Sequence, residues 1–454
     1  MQEITSNHYA GKPRTLFAKY AIPQMIGLLF NSIYLIVDGV FIGNRLGRDA
    51  MAAAAVSVPF IEILIALSMA AASGAGIIIS NHLSMSRQDQ ARQTFGQSIL
   101  ITVCISAVIV LLGNLFLGRL ATLLGATAQI QQQAESYLWY IVTFSPFLLL
   151  SFLMGALVRN DGKPKLAMFA LAFGSISNIV LDYVFMYPLD MGISGAALAT
   201  ALGPIFSVLI LLPHFICKKG ALYFSRFAIR FAHIKQIFTL GFPSFIMEFT
   251  IGIITFIYNY AIIKCGYGEL GLAAYLMIGY LMLIILTIFL GMAEGLQPVF
   301  SFFAGAHQQE KNHALLSFSI KVFFSIGILC YGLIALFSGQ FFSIFAPGDA
   351  ELIAFTQRIS LIYFCAFFLA GQNILLISYW QSTQNTKSAL LISLLRSIVM
   401  PPVLIFVLTL LFGSASIWLC HSLSEAFTYA AAFHILVSQK HPVRGHKKTA
   451  NHFS

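Results

Sequence analysis

Residues 16–42 read LFAKYAIPQMIGLLFNSIYLIVDGVFI, an apolar run carrying one lysine near its start and one aspartate, Asp38, near its end. As a helix it is about 40 Å long at ~1.5 Å per residue, enough to cross a hydrocarbon layer of about 30 Å. It is longer than a signal-peptide core and no small-residue cleavage site accompanies it, so it reads as a retained span. The same pattern recurs near residues 50–80, 93–117, 132–157, 165–186 and 193–216, and then near 234–263, 270–304, 314–338, 352–380, 388–411 and 414–437. Only 9% of the side chains are charged and 59% are hydrophobic, about a third of the charge of a soluble domain. The fold expected is an all-α polytopic membrane protein: twelve transmembrane helices in two six-helix repeats around a central cavity.

The net charge of +10 is explained by topology. With both termini on the cytoplasmic side, nineteen of the 26 Lys and Arg fall on inner segments, among them Arg87, Arg92, Arg159, Lys163, Lys218, Lys219, Arg226, Arg230 and the tail residues Lys440, Arg444, Lys447 and Lys448. The positive-inside rule therefore orients the chain, and no nucleic-acid partner is implied. The longest basic connection lies between spans six and seven. The domains expected are a six-helix half over 1–216, a cytoplasmic linker over 217–233, a second half over 234–438 and a tail over 439–454. An offset of 220 places Pro23 on Pro243, Ala53-Ala54 on Ala273-Ala274 and Gln88-Asp89-Gln90 on Gln308-Gln309-Glu310. Two halves of six spans have the same orientation, and a cavity between them is where a substrate is expected. The six cysteines are scattered, with no CxxC, so neither a disulfide framework nor a zinc site is indicated.

An ionisable group inside a span is costly unless paired, hydrated or neutralised. Six acids qualify: Asp38, Glu62, Asp182, Glu248, Glu294 and Glu425. Asp38 and Asp182 each lie five residues from the outer end of their spans, about 8 Å deep. Asn178 stands four residues before Asp182 on the same face, and Thr200 and Tyr137 enter from the outside to a similar depth. Two carboxylates, an amide and a hydroxyl suit a sodium ion, or a dyad in which one acid stays protonated because like charges resist ionising together. Glu248, with Met247 beside it, is assigned to the cavity wall as a contact for a cationic substrate or a carrier of a proton. Glu62 and Glu425 read as mid-span acids, each protonated and hydrogen-bonded to a neighbouring helix. Glu294 is expected to pair with Arg396 or Arg358, and His421 to be a satisfied polar residue.

At Pro23, Asp38, Asn178, Asp182 and the run Gly195-Ala196-Ala197-Leu198-Ala199-Thr200, the chain resembles the multidrug and toxic compound extrusion (MATE) family over its whole length, and looks closest to the MepA-type members near the DinF branch. The resemblance implies a cation site at Asp38, Asn178, Asp182 and Thr200, lined by Tyr137. It also implies a bend of span one at Pro23, and exchange of H+ or Na+ for organic cations. Where many relatives have a proline after the span-five aspartate, this chain has Tyr183, and no second-half ion site carries over. The expected protein is a secondary active multidrug exporter of the cell inner membrane, a monomer without a cofactor, with a lipid-intermediate flippase or a metabolite exporter as the alternative. No nucleophile-and-base set or HExxH is present, so no enzyme is expected.

Overall fold

The computed structural model describes residues 9–346 and 349–440; the expected tail beyond residue 440 lies outside the described residues. In lipid every backbone N–H and C=O needs an internal partner, and all regular structure among the described residues is helical. The first six long helices are α1 (Pro13–Leu46), α2 (Arg48–Ser84), α3 (Gln88–Leu115), α4 (Gln131–Asn160), α5 (Pro164–Met186) and α6 (Gly192–Ile216). The second six are α7 (Phe231–Lys264), α8 (Gly268–Gly305), α9 (Gln309–Phe345), α10 (Ala350–Ser382), α11 (Thr386–Phe412) and α12 (Ile417–Lys440). A two-turn helix, Leu117–Leu123, lies between α3 and α4.

Several helices outrun the apolar stretches that announce them. α9 has 37 residues and α8 has 38, so both project beyond a bilayer core of about 30 Å. Eleven of the twelve are long and apolar enough to cross a membrane. The exception, α12, has the length at 24 residues, but His421, Ser424, Glu425 and Thr428 dilute its apolarity. These polar groups face protein and are buried, so the helix does not depend on lipid-facing apolarity there. α11 widens into a π turn at Leu395–Val399. Pro401 and Pro402 follow and donate no N–H to the carbonyls four residues back, which accounts for the local loss of the i→i−4 ladder.

The halves are joined mainly by α1 packing on α8 and by α2 packing on α7 and α8. The first turns of α1, Leu16 to Ala21, belong to the hydrophobic core of the second half. The crossings are backbone to backbone at the face where α1 begins. A Cβ on Gly241 of α7 would fall 1.9 Å from the Ala70 carbonyl oxygen of α2, and one on Gly295 of α8 would fall 2.4 Å from that of Tyr20 in α1. Small residues permit such approach where lipid offers no hydrophobic drive. Further along the same helices, Gly39, Gly252 and Gly279 have nothing within 4 Å of that position. The halves thus meet backbone to backbone at that face, and no such approach recurs at these three positions.

The linker from Cys217 to Arg230 is strapped to the first half. Asp161, just past α4, accepts hydrogen bonds from the amides of Ala221 (2.8 Å) and Leu222 (3.4 Å) and lies 2.7 Å from His214 Nε2. Arg92 donates to the Ala221 carbonyl (3.0 Å) and covers the Tyr223 ring. At the same face Tyr9 stacks on Phe302 of the second half and donates its hydroxyl to the Asn160 carbonyl of the first (2.7 Å). Burial pushes the Tyr9 hydroxyl well above its ordinary pKa, so it stays a donor.

Candidate functional site

Within the first half, α1, α4, α5 and α6 converge on one polar locus. Its geometry begins with Gly174 and Gly203. A Cβ on Gly174 would meet the Gly203 carbonyl oxygen at 2.6 Å, so α5 and α6 touch along their backbones. One turn further on, Asn178 of α5 stands near Thr200 of α6, and both line a small cavity with Asn31, Tyr34, Ser151 and Ser175. Asp38 of α1 and Asp182 of α5 are close enough for their carboxyl groups to act on each other electrostatically. Tyr137 of α4 is buried beside Thr200. Arg45 at the end of α1 ties this end of the locus together, donating to Asp190 (3.0 Å) and to the Met186 carbonyl at the end of α5 (3.3 Å).

All five residues expected to share a level are therefore neighbours in space. The locus is rich in buried oxygen atoms without protein partners: Asp38 Oδ1, both carboxyl oxygens of Asp182, the Asn178 amide and the Thr200 hydroxyl. Buried polar groups of this kind need a partner, and a small cation or its waters would supply one. Among the described residues no group of three or more His, Cys, Asp or Glu gathers as a metal site. Nothing in the sequence singles out Tyr34, although it precedes Asp38 by four residues and so shares its face. It lies within electrostatic reach of Asp38, Asp182 and Glu62.

Met247 and Glu248 belong to a different place. They line a cavity of about 40 Å³ between the halves, with Met69, Leu290, Glu294, Gln297, Ser378 and Gln381. Three expectations are corrected here. Glu294 meets neither Arg396 nor Arg358: its Oε2 accepts from Gln24 (2.9 Å), and Arg159 lies 3.9 Å away. Glu425 is an ion-paired acid, 2.8 Å from Arg396 with Asn373 donating at 2.7 Å, rather than a neutral one. Arg159 reads from the sequence as an ordinary inner-loop charge, yet it is buried, because α8 runs past the end of α4. His421 stacks on Tyr363 with centroids 4.6 Å apart, and its Nε2 is buried without a protein partner, so the expectation of a satisfied polar residue is not met. Pro23 is buried inside an α1 that continues through it.

Twelve long helices in two packed sets, with paired acids inside the spans and a cavity between the sets, define a multi-pass membrane transporter. The MatE family model matches residues 23–184 and again 243–407, and the chain belongs to this family, whose members are transporters and not enzymes. The two matched stretches begin on Pro23 and Pro243. The chain is 25% identical over 421 residues to the multidrug export protein MepA of Staphylococcus saprophyticus, covering 92% of each. It is also 25% identical over 425 residues to MepA of Staphylococcus aureus (strain bovine RF122), again with 92% of each covered.

Among solved structures, an outward-facing multidrug resistance MATE transporter of the MOP superfamily superposes with a TM-score of 0.90 at 21% identity, over 97% of this chain and 98% of that one. A MATE protein in its bent conformation gives 0.87 at 22%, over 96% and 97%. A MOP superfamily transporter from Pyrococcus furiosus, described as having a binding pocket of reversed polarity, gives 0.88 at 21%, over 95% and 98%. At these identities the superpositions speak for the fold.

Proposed function

We propose that the chain is a secondary active multidrug exporter of the plasma membrane, exchanging H+ or Na+ for organic cations. The observation that carries the reading is the buried meeting of Asp38 and Asp182, with the Asn178 and Thr200 oxygens beside them. Two adjacent carboxyls in a low-dielectric site need a counter-cation or a proton, and releasing either restores negative charge at that level of the first half. The export of drugs by the MepA relatives supports the substrate side. With the basic segments cytoplasmic, the face shut by the backbone crossings is the inner one, which supports an outward-poised reading of the halves.

The cycle follows from that geometry. An outward-poised transporter takes up the ion at Asp38 and Asp182, and α1, which carries Asp38, Pro23 and the crossing with α8, transmits occupancy to the joint between the halves. Pro23 is the proposed hinge, since Lys19, four residues back, gets no helical N–H from it. The halves then rock, the ion leaves inside, and substrate enters against Glu248 and Met247. A flippase for pyrophosphate-linked lipids would call for a basic cavity, whereas this one exposes Glu248 and Glu294.

The test is transport of a fluorescent organic cation in proteoliposomes under an imposed proton or sodium gradient, comparing the native chain with Asp38→Asn and Asp182→Asn. Gradient-driven transport that both substitutions abolish supports the reading, and the effective gradient names the ion. Undiminished transport in both variants rejects the site. Absence of transport by the native chain under either gradient rejects the antiporter.

A further inference from the structure

Glu294 lines two cavities. One holds Met247 and Glu248 and opens between the halves; the other holds Gln24, Arg159, Leu171 and Ser207 on the first-half side. From that second cavity Arg159 Nη1 donates to Gln24 Oε1 at 2.8 Å, Gln24 Nε2 donates to Glu294 Oε2 at 2.9 Å, and Arg159 Nη2 stands 3.9 Å from the same oxygen. Arg159 Nε is buried without a partner; the guanidinium's hydrogen bond to Gln24 stays within the first half, and across the halves it meets Glu294 as a 3.9 Å ion pair. A carboxylate out of water needs a counter-charge, and here it comes from the opposite half of the molecule.

We propose that Arg159 is a built-in competitor of the cationic substrate for Glu294. While the halves are shut at the inner face, α4 brings the guanidinium to α8 and satisfies the carboxylate. The cavity at Glu248 then has its weakest hold on an organic cation as it faces outward. Its 40 Å³ has room for water but falls far below the ~300 Å³ a drug-sized ligand occupies. When the halves part at that face, Arg159 and Glu294 separate because they ride on different halves. Glu294 and Glu248 together then offer two unneutralised carboxylates to a cation arriving from inside. Closure returns the arginine and discharges the substrate. The device acts on charge, so a neutral substrate is indifferent to it. It rests on the exporter reading and adds to it the means of substrate release.

The experiment uses the full-length purified chain, with ethidium as the cationic probe, reading equilibrium binding and the concentration dependence of vesicle efflux. Arg159→Gln is expected to bind ethidium about tenfold more tightly and to show a lower KM with a lower maximal rate. Arg159→Lys restores native values, Glu294→Gln weakens binding, and a neutral dye binds equally to all. Gln24→Ala, which loosens the bridge, shifts ethidium binding in the direction of Arg159→Gln by less, and stands in for it should that variant fail to fold. Native-like or weakened ethidium affinity in a folded Arg159→Gln overturns the proposal while leaving the exporter reading intact. A native chain that neither binds nor transports organic cations overturns both.

Discussion

Gly241 of α7 and Ala70 of α2 touch backbone to backbone: a Cβ on the glycine would lie 1.9 Å from the alanine's carbonyl oxygen. The obstacle is main chain and cannot rotate aside. Gly241→Ala is therefore expected to force the two halves apart at their shut face and to destabilise by about 1–3 kcal/mol. Gly252→Ala, eleven residues along the same helix with nothing within 4 Å, is expected to be neutral or to stabilise by up to ~1 kcal/mol through helix propensity. Thermal unfolding in detergent measures both. Labelling of a cysteine at the crossing should rise in the first variant alone.

Removing one member of the Arg396 and Glu425 pair leaves a buried charge without compensation. Glu425 accepts from Arg396 Nε at 2.9 Å and from Asn373 at 2.7 Å, and both carboxyl oxygens are engaged. Arg396→Met is expected to lower stability by about 3–5 kcal/mol, whereas Arg396→Met with Glu425→Leu should recover much of the loss. Unfolding of the single and double variants decides it; equal loss in both would mean that packing, and not charge, is at stake.

What the sequence makes legible here is what a single helix carries. Length and hydropathy mark the spans, and about 1.5 Å per residue counted from a span's end puts Asp38, Asn178, Asp182, Thr200 and Tyr137 at one depth. Depth does not say which neighbour a side chain meets. Glu294 and Glu425 each have several arginines within reach in projection, and only lateral packing selects Arg159 for one and Arg396 for the other. Arg159 hides for a related reason. A basic residue after an apolar run looks like an inner-loop charge, and nothing local reveals that a 38-residue α8 extends past it. Met247 and Glu248 stand apart from the paired aspartates because the cavity between the halves is lined mainly by helices of the second half.

Asn178 offers a sharper probe of the aspartate locus than the aspartates themselves. Its Oδ1 and Nδ2 are buried without protein partners. Asn178→Leu keeps the volume and removes those polar atoms, so the fold should hold within about 1 kcal/mol, while gradient-driven transport is expected to fall by at least tenfold through a higher ion requirement. Transport assayed over a range of ion gradients checks this; an unchanged ion dependence would remove the amide from the site.

The linker strap predicts a local, not a global, phenotype. Asp161 takes the Ala221 and Leu222 amides and the His214 ring, so Asp161→Ala deprives two amides and one imidazole of their acceptor at once. Each lost bond costs about 0.5–1.5 kcal/mol, or more where a charged acceptor was involved. Arg92 still grips the Ala221 carbonyl, and Gln93 still reaches that of Ala228 (3.5 Å), so the strap should loosen without leaving. Because α6 and α7 on either side are held by their own packing, the thermal transition should move little while tryptic cleavage after Arg226 and Arg230 accelerates severalfold. Asp161→Ala combined with Arg92→Ala should accelerate it further, since the second anchor lies on α3 and acts independently of the first. Cleavage at the native rate in the double variant would show that the linker's own packing of Phe224 against Phe95, and not its polar anchors, holds it in place.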